Sequence, residues 1–246
     1  MAYGVPYCGA PPMPGDLAGR FNGDPVLMAA LLLLTLLHAR MLRGDNQRVS
    51  LALVGWIMAA GAFLSPLCAL SVSLFSARVG QHMILILIAA PLIGLATPPR
   101  WERPGHLWPA TLAFMAALWF WHMPTPYTAT FWSTTLYWTM HATLFGSAIW
   151  LWSVLLSHPP RLAASALAAG TISSMQMGLL GAILTLSGHA MFVPHYFTAS
   201  AWGFTPLSDQ QLGGALMWVP GCLLFLIVGL RSMAMLWRAL EPARLA

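Results

Sequence analysis

Charge is what this sequence lacks most. Charged residues make up 7% of the 246 positions, against roughly a quarter in soluble globular domains. A soluble chain of this length could not cover its surface with so few, so a water-soluble fold is not expected. Lysine is missing altogether, and all eleven basic residues are arginine. With six acidic residues the formal net charge is +5. In a soluble protein that excess would point to nucleic acid. Here the arginines stand at the ends of apolar runs, where membrane topology accounts for them, and no nucleic-acid partner is expected. Cysteine is scarce too. Cys8, Cys68 and Cys222 are far apart and form no CxxC pair, so neither a zinc ribbon nor a disulfide framework is indicated. The N-terminal stretch MAYGVPYCGAPPMPGD has no charged n-region and no apolar h-region, so it reads as a Pro/Gly-rich tail rather than a cleavable signal. No nucleophile with a base and no phosphate loop can be found, and Asp209 has no paired carboxylate nearby, so no enzyme is expected.

What is present is apolar length. Hydrophobic residues make up 59% of the chain. Seven apolar segments approach the ~20 residues that cross ~30 Å of hydrocarbon: Pro25–Met41, Val49–Leu64, Val79–Thr97, Leu107–His122, Leu136–Leu156, Leu162–Ser187 and Gly213–Trp237. The expected fold is all-α, a polytopic transmembrane bundle of about seven spans. A tail over residues 1–24 precedes a single helical domain over 25–240, and a short tail follows over 241–246. The apolar stretch Ser65–Ala77 is expected either to extend the second helix or to lie along the interface. Pro91 and Pro220 fall inside helices, where a kink with rearranged backbone bonds is expected.

Orientation follows from arginine. If the loop after the first span is cytoplasmic, Arg40, Arg43, Arg48, Arg100, Arg103, Arg161, Arg231, Arg238 and Arg244 lie inside, and only Arg20 and Arg78 lie outside. That asymmetry puts the N-terminus outside and the C-terminus in the cytoplasm. Most of the tryptophans, Trp101 and Trp237 among them, fall near span ends, where interfacial anchoring is the default reading.

Topology then sorts the histidines. His82, His122 and His141 come from three different spans and reach a similar depth near the outer surface, where neighbouring helices 8–10 Å apart let side chains converge. Met83, Met123 and Met217 lie nearby in sequence or depth. Imidazole with thioether suits copper, the thioether favouring the cuprous ion. Asp209 could ligate, orient a ligand histidine, or cap the last helix. Each residue also has a plain reading. A single interfacial histidine usually bonds to backbone or water, a membrane methionine usually packs, and His189 and His195 sit in a loop where solvent is the default partner.

Four segments together carry a resemblance. They are SPL at Ser65–Leu67, QHMILILIAAPLIGLATP at Gln81–Pro98, WHMPTPY at Trp121–Tyr127, and LLGAILTLSGHAMFVPHY with WGFTPLSDQQLGGALMW between Leu179 and Trp218. In these the chain resembles the CtaG family of multi-span cytochrome c oxidase assembly factors. The resemblance implies a multi-pass protein of the bacterial inner (cytoplasmic) membrane that helps assemble a haem–copper oxidase by handling copper for its catalytic subunit. Its partners would be the oxidase subunits, the lipid bilayer and a periplasmic copper donor. The family's motif positions fall on Gln81, His82, Trp121, His122, His141, Asp209, Gln210 and Met217. The approach to His141, LeuTyrTrpThrMet, is less polar than the family pattern. A haem-binding electron-transfer protein, with two of the histidines as axial ligands, and a metal-free scaffold for oxidase subunits remain as alternatives.

Overall fold

Helix starts in this chain are written in capping residues. Asp24 accepts the backbone N–H groups of Val26 and Leu27, and Pro25 sits at the first helical position, where its missing N–H leaves nothing unpaired; α1 runs over Pro25–Met41. Asp45 accepts Arg48 N–H and opens α2, Asn46–Leu64. Pro66 forces the residue before it into extended backbone. Ser65 accordingly has ψ 170°, which ends α2 and caps a separate short helix, α3, Pro66–Ser73. The stretch Ser65–Ala77 therefore does not extend the second helix. Cys68, Ala69, Ser71, Val72 and Ser73 of α3 are buried.

The computed structural model describes residues 5–97 and 104–240, so Arg100, Trp101, Arg103 and Arg244 lie outside the described residues. Among the described residues the regular structure is entirely helical. The chain continues through α4 (Phe75–Met83), a π-helical segment (Ile84–Ala89) and α5 (Ala90–Ala96). Then come α6 (Leu107–Trp121), α7 (Pro124–Ala129), α8 (Thr134–Ser157), α9 (Ala163–Leu186) and α10 (Pro206–Leu240). Helix occupies all seven segments expected from the sequence. Five stretches are long and apolar enough to cross a membrane: Asn46–Leu64, Phe75–Ala96, Thr134–Ser157, Pro160–Leu186 and Pro206–Arg238. The 17-residue α1 and 15-residue α6 are apolar but shorter. Large apolar side chains point outward, including Leu32, Leu33 and Leu36 on α1 and Leu223, Ile227 and Leu230 on α10. Water would penalise such a belt, and lipid does not.

The π segment has a local cause. In π-helix each N–H bonds five residues back, and the amide of Ala90 reaches Leu85 O in that way. The next donor in the series would be residue 91, which is proline and has no N–H. Ile86 O is left without its partner, and the indole N–H of Trp152 on α8 donates to it instead, at 2.7 Å. A side chain from another helix thus completes the ladder at the expected Pro91 irregularity.

α9 and α10 approach closely at a glycine crossing. A Cβ on Gly214 would stand 2.6 Å from Gly181 O and 2.5 Å from Thr185 Oγ1, so only hydrogen fits there.

Candidate metal centre

The beginnings of α4, α8 and α10 and the end of α6 meet at the end of the bundle that also carries the N-terminal segment. α4 starts without a cap of its own, since Leu74 has no side-chain acceptor. Asp209, in the first turn of α10, supplies one from across the interface. One carboxylate oxygen accepts Phe75 N–H at 2.6 Å; the other accepts Ser76 N–H at 3.0 Å and Ser76 Oγ–H at 2.5 Å. The anion sits at the positive end of the α4 dipole, and Asp209 is completely buried. α4 thereby acquires a fixed position, and with it Arg78 and His82, which lie four residues apart on one face.

His82, His122 and His141 come together. The His82 ring lies edge-to-face against His122 with centroids 5.7 Å apart, and against His141 at 5.2 Å. All three are buried. Two of them have their tautomer set by the backbone. His122 Nδ1 bonds Leu118 O at 2.7 Å, and His141 Nδ1 bonds Tyr137 O at 3.0 Å. A carbonyl oxygen only accepts, so Nδ1 carries the hydrogen in each ring, and in the neutral imidazole Nε2 holds a lone pair. Both Nε2 atoms are buried without a partner, and so are both nitrogens of His82. Buried polar atoms are seldom left this way. Three imidazoles, two of them turned by carbonyls behind the ring to present an Nε2 lone pair and the third free to present either nitrogen, form a donor set that fits copper or zinc and does not fit calcium or magnesium, which take oxygen. Among the described residues no three His, Cys, Asp or Glu side chains are yet drawn into a metal-holding arrangement. The rings pack edge-to-face, and a shared ion requires them to turn.

A family model for the cytochrome c oxidase caa3 assembly factor (Caa3_CtaG) matches residues 29–239, which span all of these helices. The chain belongs to that family. No curated protein and no solved structure matches it. The Caa3_CtaG match thus covers the helices that carry the three imidazoles, and the N-terminal tail lies outside it.

In this CtaG chain the other expected site residues separate into groups. Met83 and Met217 are buried in the bundle core, whereas Met123 is half exposed. Asp209 has both oxygens committed to α4, so it anchors the His82 helix and does not cap its own. Gln210, the next motif residue, accepts Met191 N–H and donates to the carbonyls of Leu184 and His189, clamping the loop between α9 and α10. His189 is exposed as expected. His195 is not solvated: it is buried, with Nε2 2.6 Å from the Tyr127 hydroxyl, because Val193–His195 forms a 3₁₀ turn that tucks the ring under Phe75 and Phe131.

Two features were missed in the sequence. Arg78 is 1% exposed; its Nη1 donates to Thr130 Oγ1, its Nε has no partner, and its guanidinium lies 4.1 Å from the Phe131 ring centroid. The i, i+4 spacing to His82 was the available signal. The second is a disulfide between Cys8 and Cys68, which overturns the reading of the cysteines as unrelated. Sixty residues separate them, so no spacing motif could reveal the pair. It ties the tail over the site: Tyr7 stacks on Tyr137 at 4.8 Å, and Tyr137 packs on His141 at 4.3 Å. Tyr7 also donates to Asp24. Burial, and then that bond, push the Tyr7 hydroxyl up to about 12, while the bond chiefly holds the Asp24 carboxyl below its usual range.

Proposed function

We propose that this assembly factor binds monovalent copper between α4, α6 and α8 and passes it to the catalytic subunit of a haem–copper oxidase. The observation that carries the reading is the set of three buried imidazoles whose Nε2 atoms have no protein partner. His82, His122 and His141 would hold the ion, with Met83 or Met217 as exchangeable thioethers. Bound copper supplies no chemistry here; it is cargo. The protein's part is to keep the rings neutral, oriented and shielded from water.

In this reading the chain is one seven-span domain of a bacterial inner membrane, with the N-terminus outside and the C-terminus in the cytoplasm. Two observations support that orientation. Among the described residues Arg40, Arg43, Arg48 and Arg161 stand at helix ends away from the N-terminal segment, and the Cys8–Cys68 disulfide belongs in an oxidising compartment. An oxidase subunit and a periplasmic copper donor are then the partners on the outer side. Bis-histidine haem ligation is less well supported. Axial ligation would engage two of the imidazoles and leave the third buried ring with an unpartnered nitrogen.

The test is anaerobic cuprous-ion titration of detergent-purified protein. His82→Ala and His122→Ala should each abolish binding of one equivalent while still inserting into membranes, and cells carrying them should accumulate oxidase without its buried copper. His189→Ala, an exposed position, is the control and should bind as wild type does. Retention of full copper occupancy in both site variants would leave the metal-free scaffold as the better reading.

A further inference from the structure

Soft donors other than imidazole come close to the site in one place. The sulfurs of Cys8 and Cys68 lie 3.4 Å and 3.7 Å from the hydroxyl of Tyr137. The same residue packs its ring against His141 and accepts the His141 Nδ1 hydrogen bond on its backbone oxygen. One aromatic residue therefore separates the sulfur pair from the imidazole cluster. Cys68 is completely buried, and Cys8 is partly exposed.

The surroundings of the sulfurs are those of a reactive pair. Tyr137 can donate its hydroxyl hydrogen to either sulfur, and Asn22 Nδ2 donates toward Cys68 Sγ at 3.8 Å. The Arg78 guanidinium lies 5.7 Å from the Tyr137 ring centroid. It is a buried cation that forms no ion pair among the described residues. Donors at the sulfurs, with a buried positive charge on Arg78 beyond the Tyr137 ring, favour the charge that builds on sulfur during thiol–disulfide exchange.

We propose that Cys8 and Cys68 form a redox-active pair which, when reduced, is a second cuprous-ion site and the point of entry to the imidazole cluster. This rests on the copper-handling reading above. Reduction needs an external dithiol. Its thiolate attacks the exposed Cys8 sulfur, the Cys8–Cys68 bond breaks, and Cys68 leaves as a thiolate held by Asn22 and Tyr137. The second thiol of the donor then attacks the mixed disulfide and releases Cys8. Two electrons and two protons move from the dithiol to the pair, and the donor leaves as its own disulfide. Cuprous ion then displaces the two protons and is bound by two thiolates, the softest donor set in the chain. Oxidised, the pair ties Tyr7 onto Tyr137 beside the imidazole cluster, which still fills at equilibrium; reduced, it adds sulfur donors on the outer side of Tyr137 and speeds that filling.

The experiment uses full-length protein in detergent, with cuprous ion alone as the probe. One sample keeps the disulfide. The other is reduced with a phosphine that is removed before titration under nitrogen. The oxidised protein should bind one equivalent without sulfur scattering from thiolate in its copper X-ray absorption spectrum. The reduced protein should bind two, with copper–thiolate scattering added. Cys68→Ser should lose the second equivalent and keep the first, while His82→Ala should lose the first and keep the second. Equal stoichiometry and identical spectra for oxidised and reduced wild type would overturn the proposal and leave the disulfide as a structural tie. This outcome needs no variant to fold. Failure of the oxidised protein to bind any copper would instead overturn the imidazole reading, so the two failures are told apart.

Discussion

Replacing Asp209 by asparagine tests how the site is held. Asparagine caps helices almost as well as aspartate in general, so the sequence alone forecasts a small effect. The geometry forecasts a larger one. Asp209 serves three donors on both oxygens, two of them backbone N–H groups. An amide offers one oxygen and one NH2. Whichever way it is turned, a buried N–H of Phe75 or Ser76 faces another donor. An unsatisfied buried donor costs about 1–3 kcal/mol, and the remaining bonds lose the advantage of a charged acceptor, so a loss of about 2–4 kcal/mol is expected. The helix that loosens is the one carrying Arg78 and His82. The assay is unfolding in mixed detergent micelles, read by circular dichroism, alongside cuprous-ion competition. The variant should unfold earlier and bind copper more weakly, yet still reach the membrane. Wild-type stability together with wild-type copper affinity would refute the reasoning and reduce Asp209 to an ordinary cap.

Two further outcomes follow from the same structure. Trp152→Phe removes the indole N–H and one ring of a buried side chain, leaving Ile86 O unpaired beside a small cavity, so it should destabilise the fold by at least about 1–3 kcal/mol in the same micelle assay, whereas a neutral result would mean that water serves that carbonyl. The Tyr7–Asp24 bond should give the tail a pH window. The Asp24 carboxyl is depressed, so its contribution is present above its unfolded value near pH 4 and lost as pH falls through the folded one, while the Tyr7 hydroxyl is raised, so its contribution is full below about pH 10 and lost as pH rises through about 12. The stability difference between wild type and Tyr7→Phe should accordingly be constant between about pH 6 and 9 and shrink in acid; a difference independent of pH down to 3 would rule the bond out as its source.

Helix positions were legible because apolar length and capping residues are local signals. Asp24, Asp45 and Pro66 start helices where their chemistry says they should. The depth argument also brought His82, His122 and His141 together from three helices, since helical rise converts residue number into height. Rotation about the axis is harder to read, and the methionines show it. Met83 and Met123 directly follow histidines of the cluster, yet Met83 is buried and Met123 is half exposed. Long-range pairings left no pattern at all. Nothing near Cys8 names Cys68, and nothing in DQQ says that Asp209 caps a helix more than a hundred residues earlier. The clamp on Ile86 likewise depends on a tryptophan from another helix.

The π segment has a consequence for how the two halves of its helix are aimed. Eleven residues separate His82 from Ile93, about three full turns of α-helix, so an unbroken α-helix would face both the same way. The extra residue absorbed between Ile84 and Ala89 rotates the second half by roughly a quarter turn or more. His82 looks toward His122 and His141, while Ile93 fits against Gly55 of α2 and Gly94 against the α8 backbone at Ser153. The segment is therefore a phase shifter within a single rod. Deleting one residue there would straighten the hydrogen-bond ladder and yet force a choice, because the imidazole and the Gly94 contact could not both keep their neighbours.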